Sequence, residues 1–190
     1  MQALFLSSAL FAGKVNAFTA GAKWTTKKAK YVFDQAYNQF CPGCNARGQA
    51  AINQWNSIGK TPFRFDPAGE GDNHITVDPQ GVCSKLAITF IVATPTTMSK
   101  FTTKLHIGCG YGFYDGTQPY FPSNYYDLET LMRHEFGHAL GLCHTNVGIL
   151  MQASQPAGLT RVIDVDAKRG NRYLYKVPYT GPDPEGACFY

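Results

Sequence analysis

The sequence predicts an α+β domain, a sandwich of the α/β type in which a twisted mixed sheet packs against one helix in the middle of the chain and another near its end. Short runs rich in β-branched and aromatic residues precede residue 108, and apolar residues at helical spacing follow it. Strands that precede helices around one sheet are typical of this class. A length of 190 residues fits one domain with a substantial core.

The first third of the chain contains a predicted strand and a predicted helix. Residues 29–37 form a strand-rich opening, and residues 45–58 have the apolar spacing of a helix. Asn45 can cap this helix and Gly59 can end it. The residues expected to face the core are Ala51, Ile52, Trp55 and Ile58.

Further strands are predicted in the middle of the chain. Residues 86–93 are a continuous apolar, β-branched run that ends before Pro95, which is typical of a central buried strand. Residues 108–122 are rich in Gly, Tyr and Pro and predict an irregular loop near the cleft of the molecule. Shorter strands are predicted at residues 63–65, 74–77 and 104–107.

Two helices are predicted in the last third of the chain. Asp127 can cap the first, and the second is expected to begin at about Thr160. After Pro178 the chain is expected to be extended and tied down by Cys188. The apolar sides of the helices are formed by Leu128, Leu131, Met132 and Leu140 in the first and by Leu159, Val162 and Ile163 at the start of the second.

The first of these helices carries a metal-binding pattern. Residues 134–144 follow H-E-x-x-H-x-x-G-x-x-H. His134 and His138 are four residues apart and lie on one face of a helix, so both can bind one metal ion. Gly141 can adopt the left-handed conformation that ends the helix. The chain can then bring His144 to the same ion from another direction.

The chemistry expected of this pattern is hydrolysis. Three neutral imidazoles leave a Zn²⁺ ion dipositive, and an open fourth position lowers the pKa of its bound water from about 15.7 to about 7. Glu135 can take a proton from that zinc-bound water as it attacks a carbonyl carbon, and can then deliver the proton to the leaving amine. The pattern therefore predicts one catalytic zinc ion, with Glu135 as general base and then general acid.

At these residues the chain resembles the metzincin metallopeptidases, and within them the matrixins. Residues 134–144 match the metzincin zinc signature at every fixed position, and Met151 resembles the methionine of the turn that lies beneath the zinc in that clan. The short interval from His144 to Met151 is similar to that of matrixins. The resemblance implies a metzincin or zincin-like fold, in which Met151 supports the site and His134, His138 and His144 bind the metal.

The resemblance covers most of residues 18–190, with departures. Matrixins usually carry a second, structural zinc and several calcium ions. Only His74 and His106 remain besides the three proposed ligands, which is too few for the usual structural zinc site. The turn methionine is followed by residues 152–154 rather than by the usual proline. Calcium is possible but no clear motif supports it, and a turn-forming role is favoured for the aspartates Asp72, Asp78 and Asp115.

Residues 1–17 are predicted to be a signal peptide and residues 18–190 the catalytic domain. An apolar run ends in the small-residue cleavage pattern Val15-Asn16-Ala17, although no positive charge precedes it, and a buried N-terminal strand is the alternative. An even number of cysteines agrees with disulfides and a secreted, extracellular protein. Cys143 is expected to be packed or paired rather than a thiolate on the zinc. The pairing is left open among Cys41, Cys44, Cys83, Cys109, Cys143 and Cys188.

The charge of the chain is only mildly positive. The formal net charge is +4, and one lysine cluster at residues 23–30 is more typical of an exposed strand than of a surface for nucleic acid or anionic lipid. The apolar N-terminal run is shorter than the roughly 20 residues that span a membrane. We therefore expect no nucleic-acid partner and no membrane span. The partner expected from the zinc pattern is a protein or peptide substrate, and the chain is expected to be a monomer.

Two functions from different classes follow from these observations. The first is a secreted zinc-dependent endopeptidase that hydrolyses peptide bonds through a water activated by Glu135. The alternative is a catalytically inactive secreted binding protein or effector that keeps zinc for structure alone. The presence of Glu135 favours the enzyme, because a binding module has no need of a base at that position.

Overall fold

The computed structural model describes residues 18–59, 61–68 and 73–177, together with the backbone of residues 186–187. The predicted signal peptide and most of the predicted extended tail lie outside the described residues. The helices are α1 (Gln35–Phe40), α2 (Cys44–Asn56), α3 (Leu128–Leu140) and α4 (Val165–Leu174). The strands are β1 (Thr19–Ala20), β2 (Lys23–Trp24), β3 (Lys28–Phe33), β4 (Arg64–Pro67), β5 (Asn73–Asp78), β6 (Ala87–Ala93), β7 (Thr97–His106), β8 (Phe113–Tyr114), β9 (Tyr126–Asp127) and β10 (Gly186–Ala187).

The main sheet is mixed, as predicted. Its strands follow the order β2-β7-β5-β3-β4, and β6 also pairs with β7. Neighbouring strands in this sheet are parallel, except that β6 and β7 are antiparallel. Two short parallel pairs, β1 with β10 and β8 with β9, lie outside it. A mixed sheet with separate helices confirms the α+β class.

The strand predicted at residues 29–37 ends earlier than expected. β3 stops at Phe33, and α1 follows it directly. Tyr37 is fully buried and stacks on Phe33 with 5.2 Å between ring centroids. Asp34 keeps an extended backbone, and its amide donates to Ile75 O at 2.9 Å. Packing of Tyr37 therefore turns the chain into a helix where local residue preference indicated a strand.

The helix predicted after Asn45 is present as α2, but Asn45 does not cap it. The cap position is taken by Gly43, without a side-chain hydrogen bond. A disulfide between Cys41 and Cys44 joins the end of α1 to the start of α2. The side-chain amide of Asn45 instead donates to Asn38 Oδ1 at 2.8 Å. The four residues expected to face the core are buried: Ala51, Ile52, Trp55 and Ile58.

The prediction of a central buried strand at residues 86–93 is wrong. In the described part of the chain β6 is an edge strand that pairs with β7 alone. One face of β6 packs on α3, whereas the other is open, with Phe90 and Val92 51% and 59% exposed. The Lys104 ammonium covers the Phe90 ring at 5.7 Å from its centroid. The interior strand is β7. Its apolar residues are separated by polar ones, so it contains no continuous apolar run.

The last helix begins five residues later than predicted. Asp164 is its N-cap, and its Oδ1 accepts from the Ala167 amide at 2.8 Å. The other oxygen, Oδ2, accepts from the amides of Ile149 and Leu150 at 2.7 and 2.9 Å. This carboxylate binds the loop before Met151 as well as the start of the helix, and residues 159–164 precede the helix without regular secondary structure. Leu159 and Val162 are exposed rather than part of the helix, whereas Ile163 is buried.

Side chains from distant parts of the sequence hold the C-terminal end of α3. The last carbonyls of a helix have no partner within the helix itself. Trp24 Nε1 donates to Ala139 O at 2.8 Å, and the Tyr175 hydroxyl donates to Leu140 O at 2.9 Å. Strand β2 and the residue that follows α4 therefore fix the end of the helix that carries the histidines.

Candidate active site

Both ends of α3 form as the sequence predicts. Asp127 Oδ2 accepts from the Thr130 amide at 3.0 Å and from its hydroxyl at 2.6 Å, so the first turn is capped. Gly141 ends the helix with φ of 103°, the left-handed conformation that glycine adopts without strain. A Cβ atom at Gly141 would also collide with the Ala22 carbonyl oxygen. The turn after α3 therefore depends on glycine for two reasons.

The three histidines predicted as zinc ligands converge. Their Nε2 atoms are 3.0 Å apart for His134 and His138, and 3.3 Å apart for each of these with His144. The Nδ1 atoms of His134 and His138 point the other way and donate to Leu150 O at 2.7 Å and Leu142 O at 2.8 Å. With the proton on Nδ1, the Nε2 lone pairs of these rings face the centre of the group.

The electrostatic surroundings keep these rings neutral. Burial, and then the electrostatic effect of the neighbouring His138 ring, hold the pKa of His134 well below its usual value. Burial and then His144 lower the pKa of His138 to about 4. Burial and then the charge of Lys85 lower the pKa of His144. Neutral imidazoles are the form that binds a metal ion.

This donor set fits zinc. Tetrahedral coordination at a Zn–N distance of about 2.0–2.1 Å separates the nitrogens by about 3.3 Å, close to the spacing of the three Nε2 atoms. In the described residues, His134, His138 and His144 are the one group of His, Cys, Asp or Glu side chains close enough to share an ion.

Glu135 lies beside the histidines and faces the cleft. It is 4% exposed, and its Oε2 accepts from the Thr89 hydroxyl at 2.7 Å. Burial raises the pKa of Glu135 to about 7, against the opposing effects of the Thr89 hydrogen bond and the Lys85 charge. A carboxyl with a pKa near neutrality can both accept and release a proton.

Met151 lies against α3, on the turn that the sequence predicts. It is 2% exposed, and its carbonyl oxygen accepts from the Thr145 amide at 3.0 Å. Its sulfur packs against Gly137, where a Cβ atom would collide with it. The neighbouring Leu150 carbonyl is the acceptor for His134 Nδ1. The Met151 turn therefore touches the helix directly and orients one histidine.

The histidines and Glu135 line a cleft of about 630 Å³. Residues 84–89, from the end of the preceding loop and β6, line it together with residues 153–155. Leu131 of α3, Tyr111 and Tyr126 also contribute to its wall. The cleft therefore runs between the edge strand of the sheet and the segment that follows Met151.

Three cleft residues were not singled out by the sequence. Thr89 was hidden in the apolar run of β6, where it is the one hydroxyl residue. Gln155 Nε2 donates to Leu150 O at 2.8 Å, the carbonyl that also receives His134 Nδ1. Lys85 lies in the loop before β6. Of these three, only Thr89 stands out in the sequence, because it is a polar residue inside an apolar strand.

Other candidate ligands do not join the site. His74 Nδ1 pairs with Asp34 Oδ1 at 2.7 Å, and His106 Nδ1 donates to the carbonyls of Val82 and Lys85 at 3.1 Å. Cys143 is disulfide-bonded, as expected, so its sulfur is not a free thiolate beside His144.

The aspartates considered for calcium form turns where they are described. Asp78 Oδ1 accepts from the Gln80 amide at 2.9 Å, and Asp115 Oδ1 accepts from the Thr117 amide at 3.0 Å. Asp72 lies outside the described residues.

Among the residues that the structure describes, none belongs to a helix long and apolar enough to cross a membrane.

Comparison with known proteins relates the chain to one family. The model of the matrixin family matches residues 12–176. Matrix metalloproteinase-9 of Canis lupus familiaris is 28% identical over 174 residues, which cover 87% of this chain and 20% of that protein. The chain thus spans about a fifth of the length of this curated relative. The match over residues 12–176 shows that the chain belongs to the matrixins, a family of zinc metallopeptidases.

Proposed function

We propose that the chain is a secreted zinc endopeptidase, with His134, His138 and His144 as ligands of one catalytic zinc ion and Glu135 as its general base and acid. The observation that carries this proposal is the convergence of three Nε2 atoms within 3.3 Å of one another beside a buried carboxyl group. Family membership supports a metallopeptidase that acts on proteins.

Zinc held by the three histidines would supply a Lewis acid for the carbonyl of a peptide bond and for the attacking water. The residues of the chain transfer the proton and orient the metal ligands. Glu135 takes a proton from the water as it attacks the carbonyl carbon, and then gives the proton to the leaving nitrogen. The Leu150 and Leu142 carbonyls keep the Nδ1 protons of His134 and His138 in place.

The edge of the sheet suits an extended peptide substrate. Residues 86–89 line the cleft, and in the described part of the chain β6 pairs only with β7. An extended peptide can therefore add to the free edge of β6 through main-chain hydrogen bonds. Such binding would bring a peptide bond past Glu135 and the three histidines.

Secretion is supported by two kinds of observation. Disulfides join Cys41 to Cys44 and Cys83 to Cys109, which is typical of proteins from oxidising compartments. Matrixins are also typically extracellular. We keep residues 1–17 as a proposed signal peptide and residues 18–190 as the proposed catalytic domain, with a monomer as the expected form.

The proposal is tested by Glu135→Gln together with zinc removal. We expect wild-type protein to cleave casein or gelatin, a chelator to abolish cleavage, and added zinc to restore it. Glu135→Gln should retain one zinc per chain in a metal analysis but lose hydrolysis. His138→Gln should lose the zinc, whereas the matched variant His74→Gln should keep both zinc and activity. A zinc-loaded wild type that cleaves no peptide would instead support the inactive binding protein.

A further inference from the structure

The hydroxyl of Thr89 contacts Glu135 directly. Thr89 Oγ1 lies 2.7 Å from Glu135 Oε2, 3.2 Å from Glu135 O and 2.9 Å from Thr103 Oγ1. A hydroxyl has one proton, and ionised carboxylate oxygens accept only. The nearest and charged acceptor, Oε2, therefore receives the Thr89 proton. The Thr103 hydroxyl can then donate to Thr89.

The sheet register holds the two threonines together. Thr89 of β6 and Thr103 of β7 are directly opposite in an antiparallel pair, so their side chains lie on the same face. That face packs on α3. Thr103 is fully buried, and its contact with Thr89 gives its hydroxyl a partner. The position of Thr89 Oγ1 is therefore set by two strands rather than by a loop.

We propose that Thr89 is a positioning residue for Glu135, with Thr103 holding the Thr89 hydroxyl from behind. The proposal rests on the proposed peptidase function. Glu135 lines the cleft, and its Oε1 has no hydrogen-bond partner among the described residues. Holding Oε2 leaves Oε1 free to meet the attacking water. A base that is held in the reactive orientation acts faster than a base that must reach this orientation anew in each turnover.

Thr89→Val tests this role because valine keeps the shape of threonine and removes the hydroxyl. We expect kcat for a peptide substrate to fall about 10–100-fold, the usual effect of losing such a supporting partner, with KM and zinc content unchanged. Thr89→Ser, which keeps the hydroxyl, should recover most of kcat. Thr102→Val makes the same change at the adjacent position of β7, where the side chain faces the other side of the sheet, and should leave kcat unchanged.

Each outcome of this experiment has one meaning. An unchanged kcat in Thr89→Val, or equal losses in the serine and valine variants, would overturn the positioning role. A loss of zinc or of thermal stability in Thr89→Val that accounts for the lost activity would also overturn it, because Thr89 would then be structural. A wild type without hydrolysis would overturn the proposed function itself, and this inference with it.

A second, independent observation concerns Lys85, which borders the same cleft. Its backbone is held on both sides: its amide donates to Val82 O at 3.1 Å, and its carbonyl accepts from the buried His106 Nδ1 at 3.1 Å. The loop is also clamped by the disulfide from Cys83 to Cys109. Within the described part of the chain, the ion pairs do not include Lys85. A lysine on a fixed stretch of backbone therefore borders the cleft.

We infer that Lys85 forms a subsite for an acidic side chain of the substrate. This inference also rests on the proposed function. Among the described residues that line the cleft, Lys85 is the one lysine or arginine. Lys85 lines the same cleft as Glu135 and His144. A glutamate or aspartate beside the scissile bond would give this cation a partner of opposite charge.

Paired peptides that differ only by Glu or Gln at each position around the scissile bond test the subsite. At low salt, wild type should prefer Glu at one position by about 2–5-fold in kcat/KM, the range of an exposed ion pair. Lys85→Gln should abolish that preference and Lys85→Glu should reverse it, whereas Lys100→Gln on β7 should change nothing. A wild type with no Glu preference, or a preference that survives Lys85→Gln, would refute the subsite while leaving the peptidase proposal intact.

Discussion

Glu129 Oε2 lies 2.7 Å from Arg47 Nη1, an ion pair that joins α2 to α3. The other carboxylate oxygen accepts from Gln54 Nε2 at 2.7 Å and from Arg133. Glu129 is 8% exposed, so these donors replace the water molecules that would otherwise hydrate its carboxylate. Because α3 carries the histidines, this ion pair helps to set where the candidate site lies against α2.

We expect Glu129→Ala to destabilise the fold by about 3–5 kcal/mol, because it leaves the Arg47 and Arg133 charges without their buried partner. The measurement is the free energy of unfolding in urea at neutral pH. The matched change Asp66→Ala breaks the Lys28–Asp66 pair, whose side chains are 62% and 40% exposed. An exposed pair is worth about 0–1 kcal/mol, so equal losses in the two variants would contradict this account.

Gly137 makes room for Met151 beneath the histidine helix. Alanine is favoured over glycine inside a helix by about 1 kcal/mol, so helix propensity alone predicts that Gly137→Ala stabilises the protein. A Cβ atom there would collide with the Met151 sulfur. We expect the collision to dominate and the variant to lose about 1–3 kcal/mol, as in other overpacked cores, and to bind zinc more weakly.

Thermal unfolding and competition with a zinc chelator measure these two effects of Gly137→Ala. Gly59→Ala is the control, since a Cβ atom at Gly59 has no heavy atom within 4 Å outside its chain neighbours. Its stability should change by less than about 0.5 kcal/mol. If Gly137→Ala is more stable than wild type and keeps its zinc affinity, the Met151 contact does not restrict residue 137.

The geometry of the histidines follows from local sequence, which is why it could be predicted. Spacing of four residues on a helix brings His134 and His138 together, and Gly141 at φ of 103° turns the chain so that His144 meets them. Thr89 is different, because it is 46 residues from Glu135 along the chain and reaches it only through the sheet register. A partner that distant leaves no periodic signal in the sequence.

The misjudged elements share a physical cause. Apart from Thr89, residues 86–93 are apolar on both faces, yet only one face of β6 is covered, so hydrophobicity alone suggested a central strand. The start of α4 depends on Asp164, whose carboxylate also binds the amides of Ile149 and Leu150. In both cases tertiary contacts overrule local preference. The helix caps at Asp127 and Gly141, which are local interactions, were predicted correctly.

Asp115 is a buried carboxylate that ties the loop before β9 to the start of α2. It is 3% exposed; its Oδ2 accepts from the Gly43 amide at 3.0 Å, and its Oδ1 accepts from the Thr117 amide and hydroxyl at 3.0 and 2.6 Å. Burial by itself would raise the pKa of Asp115. The hydrogen bonds from Thr117 and Gly43 outweigh it and hold the pKa below its usual value.

This lowered pKa makes stability depend on pH with a definite sign. The folded state holds a proton on Asp115 less tightly than the unfolded state, so the stabilisation is complete above the unfolded-state pKa of about 3.9 and is lost as pH falls through the folded-state pKa. Asp115→Asn should cost about 1.5–3 kcal/mol at pH 7, the value of hydrogen bonds to a charged group, and the difference from wild type should shrink below about pH 4. Thr117→Val, which removes one donor, should move this loss to higher pH. Urea unfolding between pH 2.5 and 7 measures all three proteins, and a gap that stays constant or widens toward acid pH would refute the assignment.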